Sequence, residues 1–154
     1  MTWQLRKVDE IEMLFPVDKV RGKARPRFNG KTGRTYTPAT TTKLERFIAE
    51  CFERDHGSTY ADFDGVVRMT LFVTRELAKS NPKFWEGRQD VGKPDWDNIA
   101  KLVCDALNGC AYADDSQVTA ATVVKMPRAP YGEGSSYRIV LEYFKEEYIG
   151  NPTH

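Results

Sequence analysis

The sequence predicts an α+β fold: one domain, with a small, mostly antiparallel mixed sheet and helices packed on one face. Three observations predict it. Stretches that read as strands, most clearly Val66–Thr74 with apolar residues at every second position, occur at 10–17, 66–74, 117–125 and 136–144. Two other stretches place apolar residues at helical spacing. The resulting order is strand, basic hairpin, helix, strand, loop, helix, strand, strand. With 154 residues the chain is long enough for one proper core.

Each element has its own reason. Residues 10–17 form the first strand. Residues 17–28 carry Arg21, Lys23, Arg25 and Arg27 at period two, so an extended chain would set all four cations on one face. Pro26 donates nothing to a ladder, which makes this an edge or a loop. Asn29-Gly30 signals a tight turn, so residues 19–37 are expected as a basic hairpin. A helix follows from Thr40 to His56, its apolar face being Leu44, Phe47, Ile48, Cys51 and Phe52. Val67, Met69, Leu71 and Val73 then alternate along a core strand. Residues 77–93 are expected as a long mobile loop carrying Lys79, Lys83, Arg88 and Lys93 beside Phe84 and Trp85, positioned to grip a substrate. After Pro94, apolar residues at 99, 102, 103, 106, 107 and 110 define one helix face. Asp97 fits its N-cap and Asn108-Gly109 its end. Trp96, beside the helix start, is expected to pack in the core. The last two strands are joined by 126–135, with two prolines and two glycines. Residues 146–154 are expected as a tail, frayed from Gly150.

Composition excludes several classes. No apolar run reaches membrane-spanning length, and the first residues lack the apolar core of a signal peptide, so a cytoplasmic protein is expected. Cys51, Cys104 and Cys110 are odd in number and form no C-x-x-C, which fits reduced thiols. His56 and His154 are far apart, which argues against structural zinc. Net charge is only +1, but its distribution is uneven. Residues 19–46 hold nine Lys or Arg against Glu45 alone, so this segment is +8 and the remainder −7. A one-signed stripe interleaved with Phe28 and Tyr36 suits a polyanion with exposed bases. Arg21, Lys23, Arg25, Arg27, Lys31, Arg34 and Lys93 are the candidate residues for binding such a polyanion.

The chemistry concentrates in Lys93-Pro94-Asp95-Trp96-Asp97-Asn98-Ile99-Ala100-Lys101 and in Asp114-Asp115-Ser116-Gln117-Val118. On an extended segment Asp95 and Asp97 would point the same way. One helix later two adjacent carboxylates follow. Such oxygen donors suit Mg2+ or Mn2+. Lys101 lies one turn from Asp97, within reach of a phosphate held by such an ion.

The run KPDWDNIAKLVCDALNGCAYADDSQV strongly resembles the signature of RusA-type Holliday junction resolvases, many of them carried by phages and prophages. The pattern is Asp-x-Asp-Asn entering a helix, Lys one turn later, an Asp-Ala-Leu-Asn-Gly close, and Asp-Asp-x-Gln-Val opening a strand. The stretch Lys-x-Arg-Pro-Arg with Tyr-Thr-Pro after it extends the likeness. Trp96 departs from the aliphatic residue usual at its position. The resemblance implies a homodimeric, Mg2+-dependent endodeoxyribonuclease acting on four-way DNA junctions in recombination and repair. It implies metal binding by Asp95, Asp97 and one of Asp114 and Asp115, with Asp115 favoured, and charge stabilisation by Lys101. Three other readings stay open at this level: a nuclease for flaps or forks, a non-catalytic nucleic-acid-binding module, and a structural divalent ion.

Overall fold

The computed structural model describes residues 1–150. The expected frayed tail from 151 onward lies outside them. β1 (Thr2–Val17) is followed by a hairpin of β2 (Arg27–Asn29) and β3 (Arg34–Tyr36), then α1 (Ala39–His56) and β4 (Val66–Thr74). α2 (Trp96–Leu107), β5 (Val118–Lys125) and β6 (Ser135–Ile149) complete the chain, with short 3-10 turns at Lys83–Trp85 and Asp115–Gln117.

The main sheet has the order β1-β6-β4-β5. β6 lies antiparallel to both β1 and β4, whereas β4 and β5 are parallel. This is the expected mixed, mostly antiparallel sheet. Its register lines up one apolar face: Ile11 and Met69 both pair with Leu141, Met13 and Leu71 with Ile139, Phe15 and Val73 with Tyr137. All of these are buried. Leu44, Ile48, Cys51 and Phe52 of α1 and Ile99, Leu102, Val103, Ala106 and Leu107 of α2 join the same core. Both helices therefore cover one face, each burying a single apolar stripe. The opposite face carries Glu12, Leu14, Arg68, Arg138 and Glu142, none of them buried.

Three expectations change. β1 and β6 are longer than their alternation indicates. Residues 2–9 are exposed on both faces and are held to 142–149 by the ladder and by polar pairs such as Lys7 with Glu142. So 146–149, expected as tail, are strand. Phe47 is 39% exposed, because it walls a cleft of about 440 Å3 with Val17, Arg21, Lys43 and Leu44. Trp96 is 59% exposed instead of packed, since it is the first residue of α2 and precedes the buried stripe. Among the described residues no helix is long and apolar enough to cross a membrane.

Candidate active site and nucleic-acid interface

The parallel pairing of β4 with β5 dictates where the candidate residues lie. Two adjacent parallel strands need a crossover that returns the chain to the starting end of the sheet. Here the crossover is the segment 75–95 followed by α2. The segment leaves the C-terminal end of β4, α2 runs back along the sheet, and β5 starts where Val118 pairs with Val67.

The outgoing segment is fastened at several points. Arg75 donates to both carboxylate oxygens of Asp90, at 2.6 and 3.1 Å, and the Asp90 side chain is only 2% exposed. Burial alone would raise the Asp90 carboxyl; the Arg75 guanidinium outweighs it and holds the group below the usual carboxylate range. The Gly92 amide donates to Asp90 at 3.2 Å, and Lys125 Nζ donates to the Gly92 carbonyl. A Cβ on Gly92 would strike the Arg75 guanidinium, so only glycine passes here unchanged. Arg128 donates to the carbonyls of Arg75 and Glu76, and backbone bonds join Gly87 and Arg88 to Arg128. Phe84 stands exposed on the 3-10 turn of this segment.

The segment ends at Lys93, a cis Pro94 and Asp95. Asp95 is the N-cap residue of α2 and Asp97 lies in its first turn, one position pair earlier than the capping expectation. Asp95 is extended and Asp97 helical, so they do not share one extended face. Asp95 accepts from Lys93 Nζ at 2.8 and 3.0 Å, and this contact raises the Lys93 ammonium above its ordinary range. Asp95, Asp97 and Lys101 are all exposed.

Residues 20–23 cross the start of α2. An added Cβ on Gly22 would stand 2.8 Å from Cβ of Asn98 and 3.1 Å from that of Pro94, and the Lys23 amide donates to the Asn98 carbonyl at 2.9 Å. This approach turns the Lys23 side chain inward, where it contacts Glu45 at 2.6 Å and Asp105 at 3.1 Å. Burial alone would lower its ammonium; the two carboxylates outweigh that and raise it. The four period-two cations therefore do not share a face, and Lys23 joins α1 to α2. Arg21 walls the cleft beside α1. Arg25, Arg27, Lys31 and Arg34 stay exposed on and beside the β2–β3 hairpin, with Phe28 68% exposed between them. Among the described residues none of these four has an ion-pair partner.

Asp114 and Asp115 lie at the other end of α2. Asp114 caps the 3-10 turn, with its amide donating to Gln117 Oε1 at 2.7 Å. Hydrogen bonds from Ser116 first, and from backbone amides and Asn108, hold its carboxyl below the usual range. Gln117 Nε2 donates to the carbonyls of Phe63 and Gly65 at 2.6 and 2.9 Å, which pins the turn to the sheet. Asp115 is half-buried.

One chain thus presents two carboxylate pairs flanking α2, whose 12 residues span about 18 Å at a rise of about 1.5 Å each. Among the described residues no three His, Cys, Asp or Glu side chains gather closely enough to hold a metal ion. The expected joint site of Asp95, Asp97 and Asp114 or Asp115 is not assembled within one chain, and the parallel β4–β5 crossover is the reason. Sequence reading had no means of finding the Arg75–Asp90–Gly92 clamp or Arg128, because a polar loop announces no partner for a carboxylate.

Comparison with known proteins bears on what this arrangement serves. A family described as Endodeoxyribonuclease RusA matches residues 18–133, which contain both carboxylate pairs and the basic hairpin. The chain is also 33% identical over 111 residues to the Bacillus subtilis (strain 168) protein described as Uncharacterized protein YqaN. That alignment covers 66% of this chain and 77% of the relative.

Proposed function

The chain belongs to the RusA endodeoxyribonuclease family, and from that premise we propose that it resolves four-way DNA junctions as an Mg2+-dependent homodimer. The observation that carries this reading is the exposed start of α2. Asp95, Asp97 and Lys101 stand there beside a basic segment whose outer cations are unpaired among the described residues.

Each part has a role the chain's own residues can perform. Arg25, Arg27, Lys31 and Arg34 bind phosphates of any sequence, which positions DNA without reading it. Phe28 and Tyr36 offer rings on which bases unpaired at a branch point stack. Lys93 is held at Asp95 and exposes its charge where the backbone would approach. Lys101 meets the charge that develops on the reacting phosphate. A divalent ion on carboxylates, Mg2+ or Mn2+, supplies an activated water in hydrolysis of this kind. The donors are of the right chemistry, and one chain holds them as two separate pairs.

The test is incubation with a synthetic four-way junction, with and without Mg2+, alongside flap, fork and duplex DNA. Paired nicks yielding two duplexes, only with the ion, are expected. Faster cleavage of flaps or forks would replace the junction reading with that of another branch nuclease. Absence of cleavage on every substrate with Mg2+ or Mn2+ would overturn the nuclease reading.

A further inference from the structure

The cleft between the end of β1 and the first turns of α1 has no part in the reading above, and its lining is of two kinds. Val17 and Leu44 form an apolar floor, with the Phe47 ring 39% exposed beside them. That ring packs edge-to-face on buried Phe15, at a centroid distance of 5.7 Å and an interplanar angle of 78°, so its orientation is set before anything enters. Arg21 and Lys43 also line the cleft, and neither has an ion-pair partner among the described residues. Asp18 is the one acid on the lining, and one of its oxygens accepts from the Lys19 amide at 2.8 Å. A bare phosphate would leave the apolar floor wet, and an apolar ligand would leave the cations without a partner. A ligand with both an aromatic face and an anionic group satisfies the two. The cleft's volume of about 440 Å3 lies in the range of small-ligand sites, about 300–1,000 Å3, which takes a single nucleotide and not a duplex.

We infer that this cleft takes one unpaired nucleotide of the DNA substrate, its base on Phe47 and its phosphate at Arg21 and Lys43. The inference rests on the nuclease reading above. Position in the chain says where the nucleotide comes from. Arg21 precedes Gly22, whose added Cβ would stand 2.8 Å from Cβ of Asn98 and 3.1 Å from that of Pro94. Consecutive residues thus link the cleft wall to the start of α2, where Asp95 and Asp97 are exposed. On the other side the basic hairpin runs into α1 through Thr37 and Pro38 alone. At a branch point a base has already lost stacking or pairing, so drawing it into the cleft costs less there than within a duplex. The cleft therefore favours branched over continuous DNA, which phosphate contacts by themselves do not. Asp18 supplies a carboxylate oxygen that can accept from an N–H on the edge of the base.

The test is run without divalent ions, so that binding is read apart from cleavage. Full-length protein is irradiated with a four-way junction, or with a continuous duplex of the same sequence, carrying 5-iododeoxyuridine at one position at a time. Covalent attachment to the peptide that holds Phe47 is expected from positions at the branch and from none in the duplex. Phe47→Leu keeps the apolar floor and removes the ring. It should abolish that attachment and weaken junction binding about tenfold, with duplex binding unchanged. Attachment only at other peptides, or equally from duplex positions, would overturn the inference. So would a Phe47→Leu protein that binds both DNAs like the wild type or weakens on both alike. Should that variant fail to fold, Thr40→Leu narrows the cleft from an exposed lining position and should give the same two losses. Wild-type attachment and affinity in Thr40→Leu would then overturn the inference. Attachment at Phe47 in a protein that cuts no branched DNA with Mg2+ or Mn2+ would sink the nuclease reading alone. Cleavage at the branch without that attachment would sink the inference alone.

Discussion

Lys101 illustrates how one residue separates function from surface chemistry. Its spacing from Asp97 also suits an i, i+4 pair worth about 0.3–0.5 kcal/mol. No such pair forms among the described residues, so its ammonium is available to a ligand. Lys101→Ala should lower the single-turnover cleavage rate by about 10², with junction affinity nearly unchanged. A rate within about threefold of wild type would return Lys101 to the solvated surface, far short of what one preorganised contact supplies. Asp97→Asn should abolish cleavage and keep junction binding, since removing a negative charge does not weaken attraction for phosphate. A gel-shift and cleavage assay on one preparation reads both. Asp90 answers to pH instead. Its carboxyl lies below the ordinary value of 3.8, so the Arg75 pair stabilises the fold above that range and stops doing so as acid protonates it. Asp90→Asn should cost about 3 kcal/mol at pH 7, as for other broken buried pairs. The difference between variant and wild type should shrink as the pH falls through and below the usual carboxylate range. Urea midpoints at pH 7 and below that range check the sign.

The basic hairpin is where an element, rather than a residue, carries the binding. Replacing Arg25 and Arg27 together by Ala should flatten the log–log salt dependence of DNA binding by nearly two units, about 0.9 for each lost phosphate contact. Lys23→Ala should leave that slope almost intact and lower the melting temperature, because its charge is spent on Glu45 and Asp105. Equal slopes for the double variant and the wild type would reduce the hairpin to a solvated edge. Lys23 also marks the limit of reading the sequence. Period-two spacing was visible; the turn of one cation toward two helices distant in the chain was not. The extents of β4 and α1 were legible because one face of each is apolar and the other polar. The outer halves of β1 and β6 were not, since both of their faces meet solvent and no alternation marks them. The four aspartates were legible as residues and as a family pattern. Their separation was not, because the parallel pairing of β4 with β5 is a long-range choice that no local signal records.

For the whole molecule the proposed unit is a twofold dimer, since resolving a junction needs cuts on two opposed strands. A purified dimer of wild type with Asp97→Asn should convert a cruciform plasmid to nicked circles. Linear product at the wild-type rate would exclude two separate cutting sites per dimer. The sheet order has another consequence, one for synthesis. β6 lies between β1 and β4 and is the last of the strands to be made. Until residues 135–149 leave the ribosome, β1 has no partner in the main sheet and β4 has only β5. The nascent chain therefore carries β1 unpaired while residues 18–134 are made. The sheet closes only afterward, through contacts of long sequence separation, so the domain folds slowly and as one unit. A ribosome stalled just before residue 135 would hold a chain that a protease cuts readily within β1.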